Sequence, residues 1–409
     1  MIHAPAPVRR SLATALALLA LALLLPGLSG ATQGGNGHRA HVAKAHDNGH
    51  PGRGDDVDVM TRNLYLGANL TPAIAAPNLD AFVAANGQIL REVTINDFPT
   101  RAEGLAAEIL AENPDLVGLQ EVALWRTAPP SLAPLQTGPS ATTVRYDYLR
   151  ELLAELNEGK GKGGKGKPRY EVVVVQEEFD LEAPADENGK PNDGPAAQGI
   201  PNAEINGRLT MRDVILARSS GGVHTWNAQG GNFANLLPVE ILKTPFPIKR
   251  GWTATDARVR GSGPFRFVNT HLEAFDPAAL VPSFRAKQAG ELVAPGGPAT
   301  SELPVVLVGD LNSDDDTVAP GDRQAYEALV AAGMVERSTD DPLSCCLNSS
   351  ILTADKGSLA DFDHQVDHVM TRDPDVVSLE SSSVTGLTPV NGFWNSDHAG
   401  VFSALEFDD

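Results

Sequence analysis

Several times along this 409-residue chain, a short run of β-favouring apolar residues ends in a carboxylate, an amide or a histidine. Residues 305–308 run into Gly309-Asp310-Leu311-Asn312, residues 116–119 into Gln120-Glu121, and residues 265–268 into Asn269-Thr270-His271. The run at 57–60 leads to Asn63, and QVDHV carries Asp367 at its centre. A buried strand fixes its terminal side chain rigidly, and the loops beyond strand ends are where such groups converge. Hydrophobic residues make up 42% of the chain, enough for a core that anchors these strands.

Between the runs the periodicity changes. In TRAEGLAAEILAEN, Leu105, Ile109 and Leu110 share one helical face, and Asn113-Pro114 stops the helix. The strand DLVGLQEV follows. Strand, helix and strand in that order predict an α/β domain. Further helices are expected over residues 146–156, 282–292 and 326–332. Further strands are expected in YEVVVVQEEFDL, DVILAR, WTATDARV, FRFVNTHLEA and the closing VFSALEF. With no repeat of fixed period and no second linker, residues 57–408 read as one domain.

The first residues read as a processing signal. Arg9 and Arg10 precede an almost wholly apolar stretch, 12–25, which Pro26 and Gly27 break before Ser29-Gly30-Ala31. That stretch is shorter than the ~20 residues of a bilayer span. Residues 1–31 are therefore expected to be a cleaved export signal, and the mature protein to be extracellular. Residues 32–56, rich in Gly, His, Asn and Asp, are expected to be a flexible leader. Its histidines, His38, His41, His46 and His50, have no fixed geometry for a metal.

The formal charge of -20 argues against a broad basic face for nucleic acid or anionic lipid, although a local basic groove stays open. The run GKGKGGKGKPR is read as a surface insertion, with a lid or phosphate contact as the sharper alternative. Cys345 and Cys346 are adjacent and cannot staple distant loops. A local turn lock is preferred over two free thiols, and no CxxC partner marks them as zinc ligands.

The polar strand ends suggest chemistry only as a set. Asp310 and Asn312, if extended, face the same side and offer a carboxylate and an amide to a hard cation. A simple turn is the bland alternative. Glu121, after LVGL, must pair, reach solvent or bind metal. Asn63 is either a loop cap or a ligand. His398 suits a general base near neutral pH, with Asp367 as its orienting carboxylate and the neighbouring Asp397 facing the other way. His271 is placed to donate to a phosphate oxygen.

TRNLYLG, GLQEV, NTHLEA, VGDLNSD, QVDHV and NSDHAGV occur in this order across nearly the whole expected domain. Together they resemble the motifs of the endonuclease/exonuclease/phosphatase superfamily. That group includes pancreatic-type deoxyribonucleases, apurinic endonucleases, neutral sphingomyelinases and inositol polyphosphate phosphatases. The resemblance implies a four-layer α/β sandwich with two packed mixed β-sheets. It also implies a metal-dependent phosphoric ester hydrolase using Mg²⁺, with Mn²⁺ or Ca²⁺ as substitutes.

By the same resemblance, Glu121, Asn63 and Asp397 are metal-site residues. Asp310 and Asn312 contact the nucleophilic water and the phosphate. His398 is the base, Asp367 its partner, and His271 the other histidine of the nuclease and sphingomyelinase branches. The chain departs from the pattern at Gln365, where a basic residue often stands. Arg212, Asp213, Arg250 and Asp256 are only loose matches to recognition residues.

The substrate is expected to be a phosphodiester or phosphomonoester. A lipid headgroup, with its membrane surface, or a small organophosphate is preferred over nucleic acid, because aromatic residues are only 5%. The alternatives are an extracellular endonuclease and a non-catalytic phosphate-binding protein of the same fold. No obligate protein partner is expected.

Overall fold

The computed structural model describes residues 56–158, 168–190, 200, 202–276, 280–314, 320–338, 343–373 and 376–407. The expected export signal, all but the last residue of the leader, and the Gly/Lys run at 159–167 lie outside the described residues.

The chain opens with β1 (Asp56–Asn63), α1 (Thr71–Ile74), α2 (Leu79–Ile95), α3 (Phe98–Glu112), β2 (Leu116–Gln120) and β3 (Leu124–Ala128). It continues through α4 (Pro134–Thr137), β4 (Thr143–Asp147), α5 (Tyr148–Leu156), β5 (Tyr170–Ala185), β6 (Ile205–Arg218) and β7 (His224–Asn232). Then come β8 (Leu237–Ile241), β9 (Thr244–Ile248), β10 (Gly251–Arg258), β11 (Phe265–His271) and α6 (Phe284–Val293). The last elements are β12 (Val305–Asp310), α7 (Pro320–Ala331), β13 (Val335–Glu336), β14 (Asp367–Arg372), β15 (Val377–Thr385) and β16 (Gly400–Phe407).

Two large mixed sheets result. The first has the order β15-β16-β1-β2-β6-β3-β4 with β5 also on β6, and the second has the order β13-β14-β12-β11-β10-β7. Period-two alternation sorts the side chains between layers. On β12, Val306 and Val308 pack between the sheets with Val57, Val59, Phe265, Phe267 and Val369. Val305 and Leu307 face outward onto Ala289, Leu292 and Leu329 of α6 and α7. On the far side, α2, α3 and α5 bury Phe82, Phe98, Leu105 and Leu152 against Met60, Val117 and Leu119 of the first sheet. The layers are therefore helix, sheet, sheet and helix, the four-layer sandwich anticipated from the sequence. Gly118 marks how closely the sheets approach, since a Cβ there would lie 2.5 Å from Val308 Cγ2 and 2.6 Å from Asn269 Oδ1.

Helix boundaries follow local signals. The helix expected at 282–292 starts at Phe284, because the Ser283 side chain caps it by accepting from the Ala286 amide. The helix expected from 326 begins six residues earlier, at Pro320, where proline is tolerated in the first turn. The seventeen-residue α2 has no counterpart in the sequence reading, since Asn86-Gly87 weakens its helical pattern. Among the described residues, no helix is long and apolar enough to cross a membrane.

Candidate active site

The same alternation that buries Val306 and Val308 carries Asp310 to the inter-sheet face at the end of β12. Strand register then sets its neighbours: His271 lies opposite Asp310 on β11, and Asp367 opposite it on β14. Three functional side chains thus form one row across the second sheet. From the first sheet, Asn63 ends β1 beside Gln120 of β2, and Glu121 follows immediately. His398 stands two residues before β16, which pairs with β1.

Asp310 is the hub. Its Oδ2 accepts from Asn63 Nδ2 at 3.0 Å and lies 3.5 Å from His271 Nε2 and 3.8 Å from His398 Nε2. Its Oδ1 accepts the Asn312 amide at 2.9 Å. His398 Nδ1 is 2.8 Å from Asp367 Oδ2, so Nδ1 carries the proton and Nε2 is turned toward Asp310. Burial alone would lower the His398 pKa, but the Asp367, Asp310 and Asp397 carboxylates outweigh it and raise it well above the ordinary value.

His271 is the opposite case. Burial and the adjacent Arg250 guanidinium push it down to about 3, so it is neutral. Arg250 Nη1 lies 3.1 Å from His271 Nδ1. The same Nη1 is 3.3 Å from Nε2, and because an arginine only donates while the Asp310 carboxylate beside Nε2 only accepts, the tautomer that suits both has Nδ1 accepting and Nε2–H toward Asp310. Glu121 faces the same end of the site, and its Oε2 accepts the Leu66 amide at 2.6 Å. Burial and then Asp397 push it up to about 7. Asp397 is itself raised, by burial first and also by Asp310. Glu121 and Asn312 both adopt left-handed backbone, φ 54° and 46°, an uncommon conformation for residues other than glycine.

Seven of the eight residues singled out from the sequence gather here: Asn63, Glu121, His271, Asp310, Asp367, Asp397 and His398. Asn63 arrives with its Oδ1 already accepting the Tyr65 amide at 2.9 Å, so what it presents to the cluster is its donor end. Asn312 is not extended and does not share the face of Asp310. The carboxylate captures the Asn312 amide in a tight turn, and Asn312 Nδ2 donates to the Leu272 carbonyl at 3.1 Å. Asn312 instead lines a neighbouring cleft of ≈ 380 Å³ with Arg285, Asp314, Cys345, Cys346 and His364.

Of the loose matches, Arg212 pairs with Asp147 and donates to the Val122 carbonyl just after Glu121, and Asp256 pairs with Arg266. Arg250 belongs to the site. Behind it, Glu178 is pushed up to about 7, by burial above all, and Asp213 is raised well above its ordinary value by burial and by Glu178.

Two buried arginines were not foreseen. Arg62 donates to the carbonyl of His398 and pairs with Glu108, its Nε 3.0 Å from Oε2. Arg101 donates to the carbonyls of Asn96, Leu64, Asn395 and Tyr65 and lies over the Phe98 ring. Its signal was present in the sequence, because positions 98, 101, 102, 105 and 109 form one buried helical face with an arginine in it. Cys345 and Cys346 are bonded to each other, the local lock anticipated, and both sulfurs face His398.

Two face-packed mixed sheets with a histidine–carboxylate cluster at their common end define an α/β sandwich of the phosphoesterase class. Residues 78–398 match the model of the Endonuclease/Exonuclease/phosphatase family, and the chain belongs to that family. Its members are generally hydrolases of phosphoesters and typically depend on a divalent metal.

Among solved structures the chain is similar to an endonuclease/exonuclease/phosphatase from Beutenbergia cavernae, at 22% identity over 86% of this chain and 72% of that one, TM-score 0.49. It is also similar to a mannosyl-6-phosphatase of Bacteroides thetaiotaomicron, at 15% identity over 86% and 100% of the chains, TM-score 0.45. The human Nocturnin catalytic domain with bound sulfate is a third, at 14% identity over 86% and 95%, TM-score 0.43. No curated protein sequence matches the chain.

Proposed function

We propose that this protein is an exported hydrolase that uses Mg²⁺ to cleave phosphodiesters bearing an apolar ester group, lipid phosphodiesters foremost. The observation that carries the reading is His398, held by Asp367 at 2.8 Å with its Nε2 turned toward Asp310. In its neutral form a base so oriented takes a proton from water, and Asp310 lies where it can fix that water. Neutral His271, through Nε2–H, and Asn63, through Nδ2, are donors for a phosphoryl oxygen. Arg250 adds positive charge at the same end.

The residues fit a divalent cation. Glu121 and Asp397 are both raised in pKa by burial and by neighbouring carboxylates, which is an excess of negative charge that a cation relieves. Such a cation would supply charge neutralisation on the phosphoryl group. Glu121 and Asp397 would hold it, with Asn63 fixing Asp310 beside them.

An adjoining cleft of ≈ 70 Å³ favours a small apolar ester group. It is lined by Leu66, Leu70, Ile74, Phe179 and Ile248, and Glu121 and Arg250 stand in its wall. A small, largely apolar cleft touching the charged cluster suits the first carbons of an ester group better than a stacked base or a second phosphate. A cavity of ≈ 590 Å³ between Leu132, Leu181, Ile241 and Phe246 contains none of the clustered residues.

The test is a panel of sphingomyelin, phosphatidylinositol, plasmid DNA and a chromogenic phosphodiester, each with Mg²⁺. Lipid and chromogenic turnover that EDTA and His398→Ala abolish is the expected result. Plasmid nicking without lipid turnover would mark a nuclease instead. Activity that survives both EDTA and His398→Ala would sink the mechanism, and inertness on the whole panel would leave a phosphate-binding protein. Export rests on residues 1–31 and is checked by the N-terminal sequence of the secreted protein.

A further inference from the structure

We propose that Cys345, Cys346 and His398 form a binding site for one soft divalent cation of the Zn²⁺ type, opened by reducing the bond between the two sulfurs, and that filling it silences the enzyme. The two halves stand apart: silencing rests on the hydrolase reading above, whereas binding does not.

The segment 344–347 lies directly along the residues around the base. The Leu347 amide donates to the Asp397 carbonyl at 3.0 Å, and the Ala399 amide to the Ser344 carbonyl at 2.7 Å. This places Cys345 Sγ 3.7 Å and Cys346 Sγ 3.8 Å from His398 Nε2. One ligand atom from each of the three residues falls within 4.8 Å of the others.

Nε2 is the ring nitrogen that faces the two sulfurs, because Asp367 holds Nδ1. A carboxylate behind a ligating histidine fixes its tautomer and raises its basicity. A water molecule would complete a tetrahedral shell around these three ligands. The ≈ 380 Å³ cleft lined by both cysteines gives reductant and cation a way in.

While bonded to each other, the sulfurs are not thiolates and do not serve as metal ligands. A phosphine reductant with water breaks the S–S bond: the water oxygen ends on phosphorus, and each sulfur gains a proton. The cation then displaces both protons, and two thiolates bind it. Thiolates and imidazole select Zn²⁺ or Cd²⁺ over Mg²⁺, so this site and the carboxylate site differ in preference. A cation on Nε2 occupies the lone pair that a general base needs.

Cd²⁺ is the probe, because its thiolate complexes show an ultraviolet charge-transfer band that carboxylates do not give. The full secreted protein, reduced with the phosphine and then freed of it, is expected to bind one Cd²⁺ with that band. The disulfide form and the Cys345→Ser/Cys346→Ser variant should give no band. If circular dichroism shows that variant unfolded, reduced wild-type protein alkylated with iodoacetamide takes its place. His398→Gln should weaken binding by roughly tenfold or more. A reduced protein without the band, or an affinity that His398→Gln leaves unchanged, overturns the site. One equivalent of Zn²⁺ should then stop chromogenic diester hydrolysis by the reduced form and spare the disulfide form. A reduced, Zn²⁺-loaded protein that stays active overturns the silencing. A protein inert on every diester overturns the hydrolase reading and leaves the band measurement to decide the binding.

Discussion

Replacing Glu121 by Gln separates what the site costs the fold from what it does. Burial and the Asp397 carboxylate push Glu121 up to about 7 from its ordinary 4.5. At about 1.4 kcal/mol per pH unit, ionising it in the cation-free protein costs about 3 kcal/mol. The raised value sets the sign. Below its unfolded value the carboxyl is protonated in both states and nothing is lost; the loss grows as pH rises and is complete above about 7. Gln keeps the shape and can still accept the Leu66 amide, now 2.6 Å from Oε2, but it carries no charge. Urea unfolding in EDTA should show Glu121→Gln about 3 kcal/mol more stable than the parent at a pH of about 8. The two should be nearly level near pH 4.5. Mg²⁺ should raise the parent's midpoint by mass action and leave the variant's in place. Diester hydrolysis by the variant should fall at least about a hundredfold. A variant no more stable than the parent at the higher pH, or a difference that does not change with pH, refutes the argument.

Other substitutions test the rest of the arrangement. Asp367→Asn removes the carboxylate 2.8 Å from His398 Nδ1 and should lower kcat by roughly a hundredfold to ten-thousandfold. Because Asp367 helps raise the His398 pKa, the acid limb of the pH–rate profile should move to lower pH, and a shift to higher pH would contradict that. Gly309→Ala would place a Cβ 2.1 Å from the Thr270 carbonyl oxygen at φ 152°, and should cost about 3 kcal/mol or more by urea unfolding. Arg101→Met would leave the carbonyls of Asn96, Leu64, Tyr65 and Asn395 without their donor, a loss of about 3 kcal/mol or more in the same assay. Leu70→Asp, in the apolar cleft, should reduce turnover of an octyl p-nitrophenyl phosphate far more than that of the methyl ester, and equal losses would remove the cleft from substrate binding.

What was legible in the sequence depended on period two. Val306, Val308 and Asp310 share a face, as do Phe265, Phe267 and His271, so a buried strand with a polar end points that end at the inter-sheet seam. The pattern predicts where such a side chain points, and the order of motifs brings the family into view. It does not predict the backbone immediately after the strand. An extended backbone would carry Asn312 onward along β12, but the turn that Asp and Asn favour after a strand forms instead: its left-handed φ of 46° turns its amide toward Leu272, because the Asp310 carboxylate captures its N–H. A two-residue turn overrides alternation within one peptide.

Contacts made by coil were not legible at all. Nothing in Cys345-Cys346 as letters places it on His398. The placement comes from backbone hydrogen bonds between 344–347 and 397–399, segments that carry no periodic pattern. The arginines are an intermediate case. Arg101 broke a helical apolar face and so carried a signal, because a guanidinium at a core position must be met by acceptors. Three of the four acceptors it found are carbonyls of the segments leading out of β1 and into β16, which adjoin Asn63 and His398. Arg62 likewise donates to the His398 carbonyl itself while pairing with Glu108. Two buried cations therefore fix the backbone on which the base and the Asp310-binding amide stand, and both do so from the helical side of the first sheet. The side chains of the site come from strand alternation, but the rigidity of the base comes from charges buried behind it. Substitutions at Arg62 or Arg101 should accordingly loosen His398 without touching a substrate.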